Sequence, residues 1–314
     1  MLVDKVLSYL SQKKLTLNEA LRYEVENMAG VSFKRQFMSE LEPVTKGKIR
    51  LSACGKCPRQ NAYKFHGIET KGKEIDSRSR IVFFMGDMAE IAVTNIIKLA
   101  GVSLLATGLS QDEIKFQVNG SVVTGHPDGY FWADDELYLL EVKSMSSFSF
   151  ERFERGDISD EYIAQINSYM HKRKSCVACC MVALNKDSGV LAEKMIYRDD
   201  SVVNKVRQNL LEVLHSTPET LPPPPPELGP DEKGYFSWKC LYCSARDTCR
   251  EVGTKTELVL VKKSYKLKVK PCKSQELTSV SVEGSNPVST TKAKMSQRKQ
   301  EKSEGIPATA SLSN

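Results

Sequence analysis

The sequence predicts an α/β fold: a mixed central sheet flanked by helices, with a helical segment before it and a basic tail after it. Two patterns carry this expectation. Between residues 78 and 214, hydrophobic periodicity runs in the order helix, three strands, helix, strand, strand. Within that order the segment Leu137–Lys143, LYLLEVK, is apolar along most of its length, as a central strand would be. Beyond about residue 254 the composition turns Ser/Thr/Lys-rich, and disorder is expected after the short VLVKKSYKLKVKP stretch. The expected division is 1–50, a helical segment; 51–253, the α/β domain; and 254–314, a basic, disordered tail.

At the start, Leu2, Val3, Val6, Leu7 and Leu10 share a helical face. Thr16 with Glu19 reads as a capping box for a second helix, which Gly30 can close. Residues 78–100 carry Ile81, Phe84, Met88, Ile91 and Ile96 near helical spacing, with Glu90 among them and Gly101 at the end. IKFQVNGSVVT (114–124) reads as a hairpin turning at Asn119-Gly120. Ser144–Gly156, with Phe148, Phe150 and Phe153 among polar residues, reads either as a loop whose rings stack on bases or as ordinary packing. Residues 159–173 form a helix opened by Ser159, with Gln165 and Tyr169 four apart on one face. SCVACCMVAL (175–184) is a buried strand whose Cys179 and Cys180 point to opposite faces, a poor arrangement for a shared metal. A strand at 190–197 and a helix at 202–214 follow. Pro222–Pro226 is a stiff polyproline spacer.

Charge and cysteine usage narrow the class. The net charge is +6, and it is uneven. Residues 254–314 hold 12 Lys and Arg against 5 Asp and Glu, which leaves 33 against 34 for residues 1–253. Such a tail suits nucleic acid or a protein partner, or simply solubility. No apolar run approaches the ~20 residues of a membrane span. The opening residues have neither a long apolar core nor a small-residue cleavage site, so no signal peptide and a cytoplasmic location are expected. Nine cysteines without a secretion signal argue for thiol or metal chemistry over a disulfide framework.

The chemistry concentrates in GHPDGYFWADDELYLLEVK (125–143). The polar Ala133–Glu136 turn pairs two strands and brings Asp128 beside Glu141, while Glu141 and Lys143 project from one face. Two carboxylates and an ammonium suit a hard divalent cation such as Mg²⁺ and a water oriented by the lysine. A second concentration is WKCLYCSARDTCR (238–250), where Cys240, Cys243 and Cys249 lie within ten residues. Three thiols call for a fourth metal ligand, and Cys57 or Cys54 in the earlier LSACGKCPRQNAY segment can supply it.

These motifs resemble the PD-(D/E)XK nuclease superfamily. Asp128 with Glu141-Val142-Lys143 is similar to its signature, and Gln165–Tyr169 resembles the QxxxY motif of the RecB-like branch. Glu90 stands where the family has an acidic helix residue; the histidine often found four residues earlier is Gly86 here. One cysteine before the core and C-x2-C-x5-C after it resembles the iron–sulfur pattern of RecB-like and CRISPR-associated exonucleases. Cys57-Pro58-Arg59 with Tyr63 favours Cys57 over Cys54 as the first ligand.

The resemblance covers roughly residues 50–250. It implies the PD-(D/E)XK core and a metal-dependent exonuclease acting on DNA ends with single-stranded character. Asp128, Glu141, the Val142 carbonyl and Glu90 would hold Mg²⁺ or Mn²⁺. Lys143 would position the attacking water, and Gln165 and Tyr169 would orient the strand. Cys57, Cys240, Cys243 and Cys249 would hold a [4Fe–4S] cluster, for which a four-cysteine Zn²⁺ site is the alternative. An endonuclease on the same fold and a non-catalytic DNA-binding scaffold are the competing functions.

Overall fold

The computed structural model describes residues 2–12, 18–38, 46–71, 77–253, 256–261 and 264–269. The helical segment at the start comprises α1 (Leu2–Leu10) and α2 (Glu19–Phe33). Next come α3 (Pro58–His66) and the long α4 (Ser77–Leu99), then β1 (Leu104–Leu105), β2 (Ile114–Val118), β3 (Ser121–Gly125), β4 (Gly129–Ala133) and β5 (Glu136–Met145). The second half holds α5 (Ser147–Glu154), α6 (Asp160–Lys172), β6 (Cys176–Asn185), β7 (Leu191–Tyr197) and α7 (Asp200–His215). It ends with α8 (Trp238–Leu241), α9 (Arg246–Gly253), β8 (Thr256–Val261) and β9 (Ser264–Val269).

The central sheet has the order β1-β4-β5-β6-β7. Only the β5–β6 pair is parallel, and the other three are antiparallel, so the sheet is mixed as expected. A parallel neighbour needs a crossover, which α5 and α6 supply. Two of the hairpins close on two-residue turns with positive φ at each position: Asn119 and Gly120 between β2 and β3, Asp134 and Asp135 between β4 and β5. That backbone matches the twist of the flanking strands, and Asn and Asp tolerate it better than other side chains.

The period-2 alternation of β5 and β6 divides the core into two. Leu137, Leu139, Cys179 and Met181 pack with Ile166, Tyr169 and Met170 of α6 and with Val203, Val206 and Leu210 of α7. Leu140, Val142, Cys180 and Val182 pack on the other side with Val93 and Ile97 of α4 and with Leu2, Val3 and Val6 of α1. Cys179 and Cys180 thus lie in opposite cores.

Several local expectations are corrected. Helix α2 is capped by Asn18, whose side chain accepts from Leu21 N at 3.1 Å, and it runs through Gly30 to Phe33. Thr16 lies outside the described residues. Leu7 and Leu10 are exposed, because α1 presents only its first turn and Val6 to α4. The Phe148–Phe153 stretch is not a loop. Ser146 caps α5, and Phe150 and Phe153 are three apart on its buried face, so only Phe148 is exposed. Past residue 253, β8 and β9 pair antiparallel around the VLVKKSYKLKVKP stretch, ahead of the part of the tail expected to be disordered. The rest of the basic tail lies outside the described residues.

The β4–β5 turn yields a test. Replacing Asp134-Asp135 by Asn-Gly, the pair best suited to two positive φ angles, stabilises the protein by about 0.5–1 kcal/mol. Urea unfolding monitored by circular dichroism measures it.

Candidate active site and cysteine site

The β4–β5 register places Gly129 opposite Leu140, so Asp128 enters the sheet beside Glu141. Asp128 Oδ2 accepts from the Val142 backbone N–H at 2.7 Å. Glu141 projects toward α6, where its Oε1 accepts from Lys143 Nζ and, at 3.0 Å, from Gln165 Nε2. The other hydrogen of that amide goes to Tyr169 OH at 3.0 Å, and Tyr169 donates to the His126 carbonyl at 3.2 Å. The i,i+4 pair of α6 therefore ties β5 to the chain just before Asp128. Gly125 makes room for this link: a Cβ there would lie 2.8 Å from the Tyr169 ring and 2.8 Å from Leu51 Cβ.

Glu141 is 1% exposed, and its Oε2 has no hydrogen-bond partner among the described residues. A buried carboxylate oxygen left without a partner is costly. Glu90, on α4, lies within electrostatic reach of Asp128, Lys143 and Glu141, and its Oε1 accepts from Gln111 Nε2 at 2.9 Å. The structure thus gathers Glu90, Asp128, Glu141, Lys143, Gln165 and Tyr169 in one place.

The sequence reading omits two participants. Gln111 comes from an irregular loop with no periodic signal. Tyr162 lies one helical turn before Gln165, and its ring centroid is 5.5 Å from Lys143 Nζ. The three-residue spacing on α6 was the available clue.

Burial governs the electrostatics. It pushes the Glu141 carboxyl up to about 7, with Asp128 adding to the rise and Lys143 opposing it. Burial, then Asp128, pushes Glu90 up to about 8. Asp128 is also raised by burial, against the pull of Lys143 and the Val142 N–H. Burial works to lower the pKa of Lys143, but Glu141 and Asp128 outweigh it and raise the lysine above its usual value. The site at neutral pH is thus a fixed ammonium beside carboxyls that hold protons unusually well.

The cysteine site is assembled from both ends of the α/β domain. Cys57 caps α3, Cys240 lies in α8, Cys249 in α9, and Cys243 between them. All four line a cavity of about 500 Å³. Burial raises the Cys57 thiol, with opposing hydrogen bonds and added repulsion from Cys243 and Cys249. Cys240 is pushed up to about 12 by burial and by the other three. The Ala245 N–H donates to the Cys243 sulfur at 3.4 Å.

Cys54 also lines the cavity, but its sulfur lies 3.7 Å from Ser168 Oγ on α6. Between Cys54 and Cys57, Gly55 presses on the first turn of α6. A Cβ there would lie 2.6 Å from Glu161 Cα and 2.9 Å from Ala164 Cβ. Among the described residues, no three or more His, Cys, Asp or Glu side chains form a group ready to hold a metal ion. The donor chemistry still fits in both places: carboxylates with one orphaned oxygen for a hard cation, four thiols for a thiophilic metal.

No protein-family profile matches the chain, and no curated protein matches it. Among solved structures it is similar to SSO0001 at 15% identity and TM-score 0.40, covering 70% of this chain and 92% of that one. It is also similar to the alkaline exonuclease LHK-Exo from Laribacter hongkongensis at 18% identity and TM-score 0.35, covering 58% and 92%. The structure of LHK-Exo in complex with dAMP matches at 20% identity and TM-score 0.38, covering 54% and 88%.

Two outcomes test the electrostatics. Asp128→Asn keeps an oxygen for the Val142 N–H and removes a buried charge. It raises the Tm of the metal-free protein by about 2–4 °C, the effect of about 1 kcal/mol. Glu90 and Glu141 bind protons in the folded chain at a pH where the unfolded chain, near 4.5, has lost them. Their contribution to stability is fully present below 4.5 and is lost as pH rises through about 7 to 8. Denaturant midpoints of Glu141→Gln and parent protein across that window measure it; the variant shows the shallower fall.

Proposed function

We propose that this chain is a divalent-metal-dependent deoxyribonuclease of the PD-(D/E)XK kind that hydrolyses phosphodiester bonds from DNA ends. The observation that carries the reading is Glu141: a carboxylate in the central strand, out of water, with one oxygen unpartnered among the described residues and Asp128 and Lys143 beside it. A charge in that position costs free energy unless a partner compensates it.

Asp128, Glu141, Glu90 and the Val142 carbonyl would hold Mg²⁺ or Mn²⁺. Such an ion lowers the pKa of water and neutralises charge on a phosphate. The other roles belong to the chain itself. Glu141 and Asp128 raise Lys143 above its usual value in the metal-free chain, and it would serve as a positive charge and hydrogen-bond donor toward the phosphate and its attacking water. Gln165 holds the Glu141 oxygen that Lys143 shares, and Tyr169 fixes that amide from the His126 carbonyl.

In the cysteine site, Cys57, Cys240, Cys243 and Cys249 would hold a [4Fe–4S] cluster. The shared cavity and the Ala245 N–H on the Cys243 sulfur support the ligand set. Iron and sulfide analysis of anaerobically purified protein returns four of each per chain if the cluster is right; one zinc and no sulfide assigns the site to zinc.

Digestion of end-labelled single-stranded DNA in Mg²⁺, Mn²⁺ or chelator tests the activity. Metal-dependent shortening from one end is expected. It falls by at least about 10²-fold in Glu141→Ala and Lys143→Ala, while circular dichroism stays unchanged. Cutting of closed circular DNA instead assigns the chain to the endonucleases. DNA binding without cleavage in any metal assigns it to the scaffolds.

A further inference from the structure

Tyr162 also lines a second cavity, of about 370 Å³. Its walls include Ser144, Ser146 and Ser149 at the β5–α5 junction, Tyr162 of α6, and Trp238 and Lys239 of α8. Ser144 directly follows Lys143, and the Tyr162 ring receives the Lys143 ammonium at 5.5 Å. The cavity therefore begins one side chain away from the proposed chemistry. Trp238 is 61% exposed, much as Trp132 is at 60%, but Trp238 lines this cavity and opens the helix that bears Cys240.

The charges lining this cavity are largely satisfied within the protein. Asp157 is held by Arg152 through two hydrogen bonds, at 2.7 and 3.0 Å. Glu161 pairs with Lys239 at 3.5 Å. Asp160 is the first residue of α6, where the helix terminus compensates a negative charge. A phosphate finds no uncommitted cation here. What remains is an indole face, a phenol ring and the hydroxyls of Ser144 and Ser149, since Ser146 Oγ donates to Ser149 Oγ at 3.3 Å and caps α5. That combination suits a planar, uncharged group with a hydrogen-bonding edge.

We propose that this cavity binds a nucleobase of the strand whose phosphate lies at Lys143, with Trp238 as the stacking surface and the serine hydroxyls along the base edge. The inference rests on the nuclease reading and deepens it. A base inside a duplex cannot enter, so the substrate is unpaired at this position. It also gives the cysteine site a task beyond holding two segments together. Lys239–Glu161 on one side and Gly55 against Glu161 on the other fix α8 and the first turn of α6 relative to each other. That contact sets the spacing between Trp238 and Tyr162.

Trp132→Phe leaves Trp238 as the one tryptophan, and Glu141→Gln in the same protein prevents cleavage. Its emission is titrated with oligothymidylate, with the same sequence in a blunt duplex, with thymidine monophosphate and with heparin. Oligonucleotide binding is followed separately by anisotropy. Saturable quenching by the single strand, with none from duplex or heparin, is expected. Quenching by the mononucleotide as well identifies the released product as a second source of the same base. In the parent sequence, Trp238→Ala weakens single-strand binding about 5- to 100-fold, and Trp238→Phe, which keeps a ring, restores most of it. Single-strand binding with unchanged Trp238 emission, or at full affinity in Trp238→Ala, overturns the base site and leaves the nuclease reading standing. No binding and no cleavage by the parent protein overturns both.

Discussion

Glu141 is a carboxylate in the middle of the sheet, and the arrangement around it follows from keeping it there. One oxygen is shared by Lys143 and Gln165, and the other has no partner among the described residues. Burial and Asp128 make the negative charge unfavourable, and Lys143 only partly offsets them. A site organised for folding alone would place an apolar residue here, as β5 does at Leu139 and Leu140. The cost makes sense if the carboxylate has a ligand to hold. Functional sites are where local rules of burial are broken.

Helix α6 is the element through which the two chemical regions meet. Its Gln165 and Tyr169 hold Glu141 and the His126 carbonyl, Tyr162 lies against Lys143, and its first turn carries both the Gly55 contact and the Glu161–Lys239 pair. A shift of this helix by a fraction of an ångström moves the partners of Lys143 and Glu141 together. The segments bearing Cys57 and Cys240 pack against its N-terminal end, on the side of the cavity walled by Trp238. The cysteine site thus bears on the carboxylate site by rigid packing and not by direct contact.

What the sequence disclosed follows from periodicity. The two-residue repeat of β5 puts Glu141 and Lys143 on one face, and the short Asp134-Asp135 turn fixes Asp128 beside them. The four-residue step from Gln165 to Tyr169 is equally direct. Phe150 and Phe153 carried a helical spacing too, but the polar residues around the rings made a loop equally readable, and burial against the core decided for α5. Gln111 reaches Glu90 from a loop 21 residues away, a contact that only the folded chain can supply. Cys54 and Cys57 are separated by conformation. Both line the shared cavity, but Cys57 stands at the N-cap of α3, while the buried sulfur of Cys54 meets Ser168. The second cavity lined by Tyr162 draws on β5, α5, α6 and α8, and no stretch of sequence contains it.

The most direct test of the central claim is Mn²⁺ titration by calorimetry at pH 7 in two buffers of different ionisation enthalpy. If the carboxylates form the metal site, the protons they retain in the empty state must leave. Binding then releases about one proton or more per chain, because ligand groups must be deprotonated. In Glu141→Gln both the affinity and the proton release drop. Binding with no proton release, or with the same affinity in Glu141→Gln, would contradict the account.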